Sequence, residues 1–430
     1  MKHPFIISLF VFLFISCKKD KKDTTPPVIN MSLPVSGTTY NMFDTIPIAA
    51  SFSDETQLTR AEISFRDMNS ISVQPGFTIN LSGKSFNLNE ELPLYEFRIP
   101  TGNYNIDITL SDGENVSTKS ATVNIIESPY ERKGFYFFAK NGSQHSITKT
   151  DTNFALISAY SIGGTHVSSE ISNYDQTIYA ASSINWPFRA ISIADGTTKW
   201  SLGNPGTAAT ITATCFDGKN IFLGKDDGNV YKINQDGTPV RSYLSGEMTY
   251  YVKAVFYCGN YIVVSLFDFN STSKKTVVFE VSSGLIKKVI QNSDVKAAFQ
   301  KSNGELYLLS VNSSNRAIIE VYTVLTNNMN QVVDFGVGNI TSACQVSNDV
   351  LMVGLSNGNI YYYQNSTGVY LSVLNGMPAQ KMIYSPKFNR LHLSSYKNFY
   401  SYSVSSFALN LQNNHAYPDT IIDFQVIQNK

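Results

Sequence analysis

Three groups of aromatic residues offer the clearest candidate binding chemistry in this sequence. They are Trp186-Pro187-Phe188, Tyr250-Tyr251 and Phe267-Asp268-Phe269-Asn270. Aromatic rings beside Asn and Asp combine a large apolar area with hydrogen bonding, which suits stacking on a sugar or contact with a protein. A structural use, in which the rings fill gaps in a core, is the alternative. The candidate ligand-binding residues are therefore Trp186, Phe188, Tyr250, Tyr251, Phe267 and Phe269.

Residues suited to catalysis or metal binding form no comparable pattern. The histidines that follow the N-terminal segment are scattered, and neither a Ser, His and Asp arrangement nor a carboxylate pair can be read from their spacing. His145, His166 and His415 could form a three-His metal site in loops on one face, although solvated loop histidines are the simpler interpretation. Asp226-Asp227-Gly228-Asn229 lacks the closing Glu of an EF-hand loop, so a plain turn is expected there. We expect no catalytic residue, no metal and no cofactor.

The charge balance argues against nucleic acid as a partner. The 430 residues include 33 Lys and Arg against 33 Asp and Glu. A chain without a net positive charge lacks the field that draws proteins to nucleic acid or to an anionic membrane surface. We expect no nucleic acid partner.

The N-terminal residues are typical of an export signal followed by a flexible tether. Phe5 to Ile15 is an apolar run of about eleven residues, whereas a membrane-spanning helix needs roughly 20. Phe14-Ile15-Ser16-Cys17 resembles the bacterial lipobox, which implies a signal peptide over 1–16 and a lipid on Cys17. The charged residues that follow cannot pack, so 17–27 should act as a flexible tether. Charged residues after a lipidated Cys resemble lipoproteins of Bacteroidetes-type bacteria, which implies the outer membrane, on either its periplasmic face or the cell surface.

Three further cysteines remain after Cys17, and three cannot all pair within one chain. At least one of Cys215, Cys258 and Cys344 is therefore a free thiol. Cys215 and Cys344 fall at matching places in the repeats described below, which favours small buried residues. We predict no disulfide.

The elements that would position the aromatic groups come from a repeat. A short apolar strand returns seven times, at intervals of 40 to 45 residues, which matches one four-stranded propeller blade of roughly 40 to 50 residues. The seven strands begin at Phe135, Ile178, Ile221, Ile262, Leu306, Leu351 and Leu391. Phe135 has no strand before it, and Ile421 to Val426 has none after it. Pairing these two segments predicts a seven-bladed β-propeller over 133–430 that is closed by its C-terminal strand.

A separate domain precedes the repeats. Residues 28–127 alternate between short strands and turn signals, a pattern typical of a β-sandwich of about 100 residues. Its clearest part is a hairpin from Tyr104 to Ile126, with Asp112-Gly113 in the turn. Phe52-Ser53-Asp54 and the segment Ser111 to Asn115 resemble the Ig-like domains that follow the anchor in many Bacteroidetes lipoproteins. The predicted fold class is all-β, an Ig-like sandwich followed by the propeller.

Two of the repeats carry a family resemblance. The segments Ala190 to Trp200 and Val230 to Thr238 resemble the strand and turn of quinoprotein-like (PQQ-like) repeats, and the first also has their tryptophan. Enzymes of that family often use a calcium ion and a pair of adjacent cysteines, and this sequence has no adjacent cysteines. The resemblance therefore implies an architecture and not an activity.

Together these features predict a lipid-anchored protein of the cell envelope. Its propeller would bind an envelope protein or a glycan without catalysis, and the lipid anchor would attach it to the membrane. One alternative is a propeller enzyme acting on polysaccharide, a glycosidase or a lyase, with carboxylates or histidines meeting at the axis of the ring. The other is a scaffold for outer-membrane assembly, since a PQQ-like lipoprotein propeller has that role in other bacteria.

Overall fold

The protein is described by a computed structural model that covers residues 23–96, 99–141, 144–162, 164–182, 187–203, 210–247 and 249–430. The signal peptide predicted over 1–16 and the lipidation site Cys17 lie outside these ranges. The chain divides into two compact units, Met1–Pro129 and Tyr130–Lys430. Within the described ranges, no helix has the length and apolar character needed to span a membrane.

The described part of the first unit contains two β-sheets. One sheet has the order β1 (Val28–Leu33), β3 (Thr45–Ser53), β6 (Ser85–Pro93). The other has the order β2 (Thr39–Asn41), β8 (Val116–Ile126), β7 (Gly102–Ser111), β4 (Arg60–Asp67), β5 (Ser72–Asn80). Inward residues alternate with outward ones along β4 and β7, so one face of each strand contributes to the core. The core includes Ile63, Phe65, Ile106 and Ile108, each 0% exposed.

The predicted hairpin is present in this unit. β7 pairs with β8 from Gly102 opposite Ile125 to Ser111 opposite Val116. In the turn, the Asp112 carboxylate accepts hydrogen bonds from the backbone N–H groups of Glu114 (2.6 Å) and Asn115 (2.5 Å). Gly113 adopts φ +105°, a conformation that favours glycine.

The described part of the second unit contains seven sheets of four strands each. The first three sheets are β9 (Arg132–Asn141), β10 (Gln144–Thr150), β11 (Leu156–Ile162) with β36 (Thr420–Gln428); β12 (His166–Ser172), β13 (Thr177–Ser182), β14 (Phe188–Ser192), β15 (Thr198–Leu202); and β16 (Ile211–Phe216), β17 (Asn220–Lys225), β18 (Val230–Asn234), β19 (Pro239–Tyr243). The fourth and fifth are β20 (Tyr250–Cys258), β21 (Tyr261–Asp268), β22 (Lys274–Glu280), β23 (Ile286–Gln291); and β24 (Asp294–Ser302), β25 (Glu305–Val311), β26 (Arg316–Thr323), β27 (Asn328–Val337). The last two are β28 (Ile340–Ser347), β29 (Val350–Leu355), β30 (Ile360–Gln364), β31 (Val369–Leu374); and β32 (Lys381–Ser385), β33 (Arg390–Ser395), β34 (Asn398–Ser405), β35 (Ala408–Ala416), with a 3₁₀ turn at Pro386–Phe388.

Each sheet packs face to face against the next one, and the last packs against the first. One apolar cluster joins the third and fourth sheets through Phe222 and Val264. Another joins the seventh sheet to the first through Phe399, Phe135 and Phe424. Because each sheet has a neighbour on both faces, strands such as β13 and β29 are buried along their whole length. The second unit is therefore an all-β, propeller-like ring of sheets.

The C-terminal segment closes the first sheet. β36 pairs antiparallel with β9, with Phe424 opposite Phe137 and Gln428 opposite Arg132. This is the pairing that the unmatched strands at the two ends of the repeat predict. Residues of β12 and of the turn after it also hold β36, since Asn173 Oδ1 accepts from Gln428 N (2.8 Å) and the Gln425 side chain donates to Ser169 O (2.6 Å).

Cys215, Cys258 and Cys344 are all buried in this unit. Burial raises the pKa of all three thiols, and that of Cys344 to about 12. The buried positions of Cys215 and Cys344 agree with the interpretation of these cysteines as small core residues.

Candidate functional site

Two strands of the fourth sheet bring three of the candidate aromatic residues together. Tyr251 on β20 lies directly opposite Phe267 on β21, and such cross-strand pairs place both side chains on one face. Phe269 follows two residues later, and its backbone N–H donates to Thr249 O (2.9 Å). The ring centroids of Tyr251 and Phe269 are 5.0 Å apart, and those of Tyr251 and Phe267 are 6.1 Å apart. Tyr251 and Phe267 are half-buried, whereas Phe269 is 57% exposed.

Tyr251 and Phe269 form one wall of a cavity of about 500 Å³ between the third and fourth sheets. We call it the aromatic cavity. Its polar lining includes Thr210, Asp226 and Lys253. Asp226 N donates to Thr210 O (3.0 Å), which fixes these two residues at the same rim. The cavity therefore combines exposed aromatic faces with a carboxylate, an ammonium and hydroxyl groups, and its volume lies within the usual range of ligand sites.

A glycine sets the spacing of the sheets beside this cavity. Gly224 on β17 faces Val252 on β20, and a Cβ atom at residue 224 would lie 2.3 Å from Val252 Cγ1. Only a residue without a side chain permits this approach. Lys253 follows Val252 and is the extra residue of a bulge in β20, where Val252 pairs with Leu266 and Ala254 with Ser265. Bulges can redirect a side chain, and no local sequence pattern marks this one, so sequence analysis did not add Lys253 to the candidates.

Of the described candidate residues, Phe188, Tyr250 and Phe267 are not among those that line the aromatic cavity. Phe188 is 1% exposed and packs between Tyr179 and Trp200, with ring centroids 6.4 and 5.8 Å away, so it is a core residue and we leave it out of the site. Tyr250 is 7% exposed, and Lys275 Nζ lies 4.5 Å from the centre of its ring. Trp186 lies outside the described residues. Among the described aromatic candidates, Tyr251, Phe267 and Phe269 lie together on the fourth sheet.

A second cavity, of about 350 Å³, lies where the first strands of the sheets converge. We call it the axial cavity. It is lined from β12, β20, β24, β28, β32 and β36, and its charged residues are Glu170, Lys296, Lys381 and Asp423. Sequence analysis did not select these four residues. No local pattern marks them, because each of the four lies in a different strand.

Asp423 is the centre of a polar network at the axial cavity. Its carboxylate accepts hydrogen bonds from Ser169 N (3.0 Å) and Ser169 Oγ (2.6 Å), and it contacts His166 Nε2 at 3.0 Å. Lys381 Nζ forms an ion pair with its other oxygen. Burial alone would raise the pKa of Asp423, but the Lys381 ammonium and the hydrogen bond from His166 hold that pKa well below its usual range. Asp423 is therefore ionised, and both of its oxygens are occupied.

The pKa of Glu170 is shifted in the opposite direction from that of Asp423. Glu170 is half-buried, and the loss of solvent around its carboxyl group raises its pKa to about 8, with Lys381 opposing the shift and Asp423 adding to it. At neutral pH the Glu170 carboxyl is mostly protonated. It can then donate a hydrogen bond as well as accept one.

The histidines do not assemble into the three-His site weighed from the sequence. His166 bonds to Asp423, and His415 stacks on Phe154 with ring centroids 4.8 Å apart. His392 is 0% exposed and stacks with Phe399, and its burial, together with Arg132 and Arg390, lowers its pKa to about 3. Within the described ranges, one group of three side chains could share a metal ion, namely Asp23, Asp54 and Asp112 in the first unit, with one oxygen of each within 4.8 Å of the others.

Comparison with known proteins gives matches of fold only. No family model and no curated protein matches this sequence. Hydrazine synthase of Kuenenia stuttgartiensis is similar over 64% of this chain and 97% of its own, with 10% identity and a TM-score of 0.50. The Pan2 WD40 domain of Neurospora crassa matches 58% of this chain and 80% of its own (11% identity, TM-score 0.46). BamB from Moraxella catarrhalis matches 67% and 88% (14% identity, TM-score 0.43). Likeness at such low identity describes the fold and says nothing about activity.

Proposed function

We propose that this chain is a lipid-anchored protein of the outer membrane whose propeller binds a glycan at the aromatic cavity, without catalysis. In this proposal an Ig-like domain over 28–127 follows the anchor, and a seven-bladed propeller occupies 133–430. The lipobox-like segment ending at Cys17 supports the anchor. The seven four-stranded sheets and the pairing of β36 with β9 support the propeller.

The observation that carries the proposal is the composition of the aromatic cavity. Tyr251 and Phe269 offer tilted rings that are partly open to solvent, next to Asp226 and Lys253. A sugar ring has an apolar face for stacking and hydroxyl groups that can both donate and accept hydrogen bonds. A concave site of about 500 Å³ favours a short glycan segment over a flat protein surface.

A glycan array probed with the purified full chain in detergent tests this proposal. We expect binding to a restricted set of glycans and its loss in Tyr251→Ala and Phe269→Ala. Phe43→Ala is the matched control, because Phe43 is 63% exposed against 57% for Phe269 but belongs to the first unit. Absence of glycan binding, together with capture of one envelope protein that depends on Tyr251, would replace the glycan by a protein partner. Binding that is unchanged in both variants would refute the site.

A second candidate, an enzyme acting on polysaccharide, is favoured by one observation. Protonated Glu170 and ionised Asp423 line the same axial cavity, as the acid and the base of a glycosidase would. The hydrogen bonds already made by Asp423 weaken this candidate, because a carboxylate with a lowered pKa and occupied oxygens is a poor base. Release of reducing ends from any glycan that binds, lost in Glu170→Gln, would establish the enzyme.

A further inference from the structure

The axial cavity is lined by an excess of hydrogen-bond donors. Lys296 Nζ has one ion pair, to Asp294 at 2.9 Å, and Lys381 Nζ has one, to Asp423, although each ammonium carries three N–H groups. Gln380 also lines the cavity, and its Oε1 atom already accepts from Tyr396 N (2.9 Å). We propose that the axial cavity binds a small organic carboxylate.

The acceptors around the cavity explain why an anion fits better than a neutral polar molecule. Both oxygens of Asp423 are used by Ser169, His166 and Lys381. The Ser168 hydroxyl is engaged with Thr214 Oγ1 at 2.7 Å. Apart from Glu170, a ligand that mostly donates would therefore find few free side-chain acceptors here, whereas a carboxylate supplies about four acceptor sites for the unused N–H groups.

The remaining walls suit the carbon skeleton of such a ligand. Phe256, Phe299 and Met382 line the cavity beside the charged groups. A volume of about 350 Å³ lies at the lower end of the range for small-molecule sites, which selects a small ligand.

The protonation of Glu170 should make this binding depend on pH. The charged and titratable groups around it are Lys381 on β32, Asp423 on β36, Lys296 on β24 and the Cys215 thiol on β16, whose pKa burial raises well above its usual value. Below the pKa of about 8, the neutral Glu170 carboxyl can donate to the ligand. Above it, the ionised Glu170 repels a second carboxylate. Affinity is thus present at low pH and is lost as the pH rises through that pKa.

Isothermal titration calorimetry on the full chain tests the site. The probes are acetate, benzoate and galacturonate, each beside its neutral counterpart, acetamide, benzamide and galactose, at pH 6.5 and pH 9. We expect at least one carboxylate to bind at least tenfold more tightly than its counterpart at pH 6.5, and to lose about tenfold in affinity at pH 9, where about one-tenth of Glu170 is protonated. If no carboxylate binds, or if the neutral counterparts bind equally well, the proposal fails.

Two variants and one control distinguish the effect of Glu170 protonation from a loss of folding. Glu170→Gln keeps a neutral donor at every pH, so we expect its affinity to change less than twofold between pH 6.5 and pH 9. Lys296→Met should weaken binding at both pH values, whereas Lys288→Met, a lysine on β23 away from the cavity, should leave it unchanged. A wild-type pH dependence in Glu170→Gln, or unchanged affinity in Lys296→Met, would overturn the proposal. Glycan binding at the aromatic cavity is measured independently of these variants.

Discussion

The aromatic cavity and the axial cavity differ in the residues that define them. The aromatic cavity has a mostly exposed ring at Phe269 and polar groups at its rim, whereas the axial cavity surrounds a carboxylate, Asp423, whose oxygens are both bonded to protein groups. Side chains at the rim can change with little effect on the fold. At the axis, Asp423 and Lys381 also fasten β36 to its neighbours, so some residues that line this cavity are also residues that close the ring.

The largest expected effect that tests this contrast is at Asp423. Asp423→Ala removes the acceptor for Ser169 and leaves Lys381 without its partner, so we expect the free energy of unfolding to fall by about 3–5 kcal/mol. Urea denaturation followed by tryptophan fluorescence measures it. Asp423→Ala combined with Lys381→Met should cost less than the single variant, because no unpaired ammonium remains. A single-variant loss below about 1 kcal/mol would show that the network does not fasten β36.

A similar loss is expected at Phe188, the aromatic candidate that lies in the core. Phe188→Ala creates a cavity between Tyr179 and Trp200 and should destabilise the second unit by about 3–5 kcal/mol. The free energy of unfolding from urea denaturation should be lower for this variant than for Phe269→Ala by most of that amount. Equal curves for the two variants would contradict the distinction between core and rim aromatics.

A smaller effect is expected from His392, whose pKa is lowered to about 3 by burial and by two arginines. Between about pH 6.5, the ordinary pKa of histidine, and about pH 3, the unfolded chain binds a proton at His392 and the folded protein does not. The free energy of unfolding therefore falls as the pH decreases through this window. Between pH 6.5 and pH 5 the loss is about 1.6 kcal/mol. His392→Phe should remove this part of the pH dependence, which denaturation at the two pH values measures. If the free energy of unfolding of His392→Phe depends on pH as strongly as that of the wild type, His392 does not contribute to this pH dependence.

The smallest effect on stability is expected at the rim. Phe269→Ala should change the free energy of unfolding by less than about 0.5 kcal/mol, because the side chain is 57% exposed. Its effect on glycan affinity should be about tenfold, since one ring stacked on a ligand contributes on the order of 1 kcal/mol or more. Surface plasmon resonance with an array-selected glycan gives the affinity. A large loss of stability in this variant would place Phe269 with the core aromatics.

The sequence predicted the repeated sheets better than the sites. Runs such as Ile178 to Ala181 are apolar without interruption because their strands are buried on both faces, and this makes them visible at a fixed interval. The pairing of β36 with β9 followed from counting unmatched strands. Phe188 and Phe269 could not be told apart, because both occur in short aromatic motifs and only the packing of Phe188 against Trp200 distinguishes them.

The axial cavity could not be predicted for a different reason. Ser169 and Asp423 are 254 residues apart, and they meet only because β36 joins the sheet begun by β9. Neither Glu170 nor Lys381 lies in a motif that indicates a shifted pKa or an ion pair. Such groups acquire their properties from burial and neighbours, which a linear pattern does not contain.

The direction of the closing pair has a mechanical consequence. β9 and β36 are antiparallel, and Gln428 lies opposite Arg132. The first residue of β9 and the last residue of β36 are therefore at the same end of the strand pair. A tension applied between those two residues would load the backbone hydrogen bonds one after another, as in unzipping, and not all together as in shear. The ring would then give way at this seam under a modest pull, while its other sheets, each a continuous stretch of chain, stay folded.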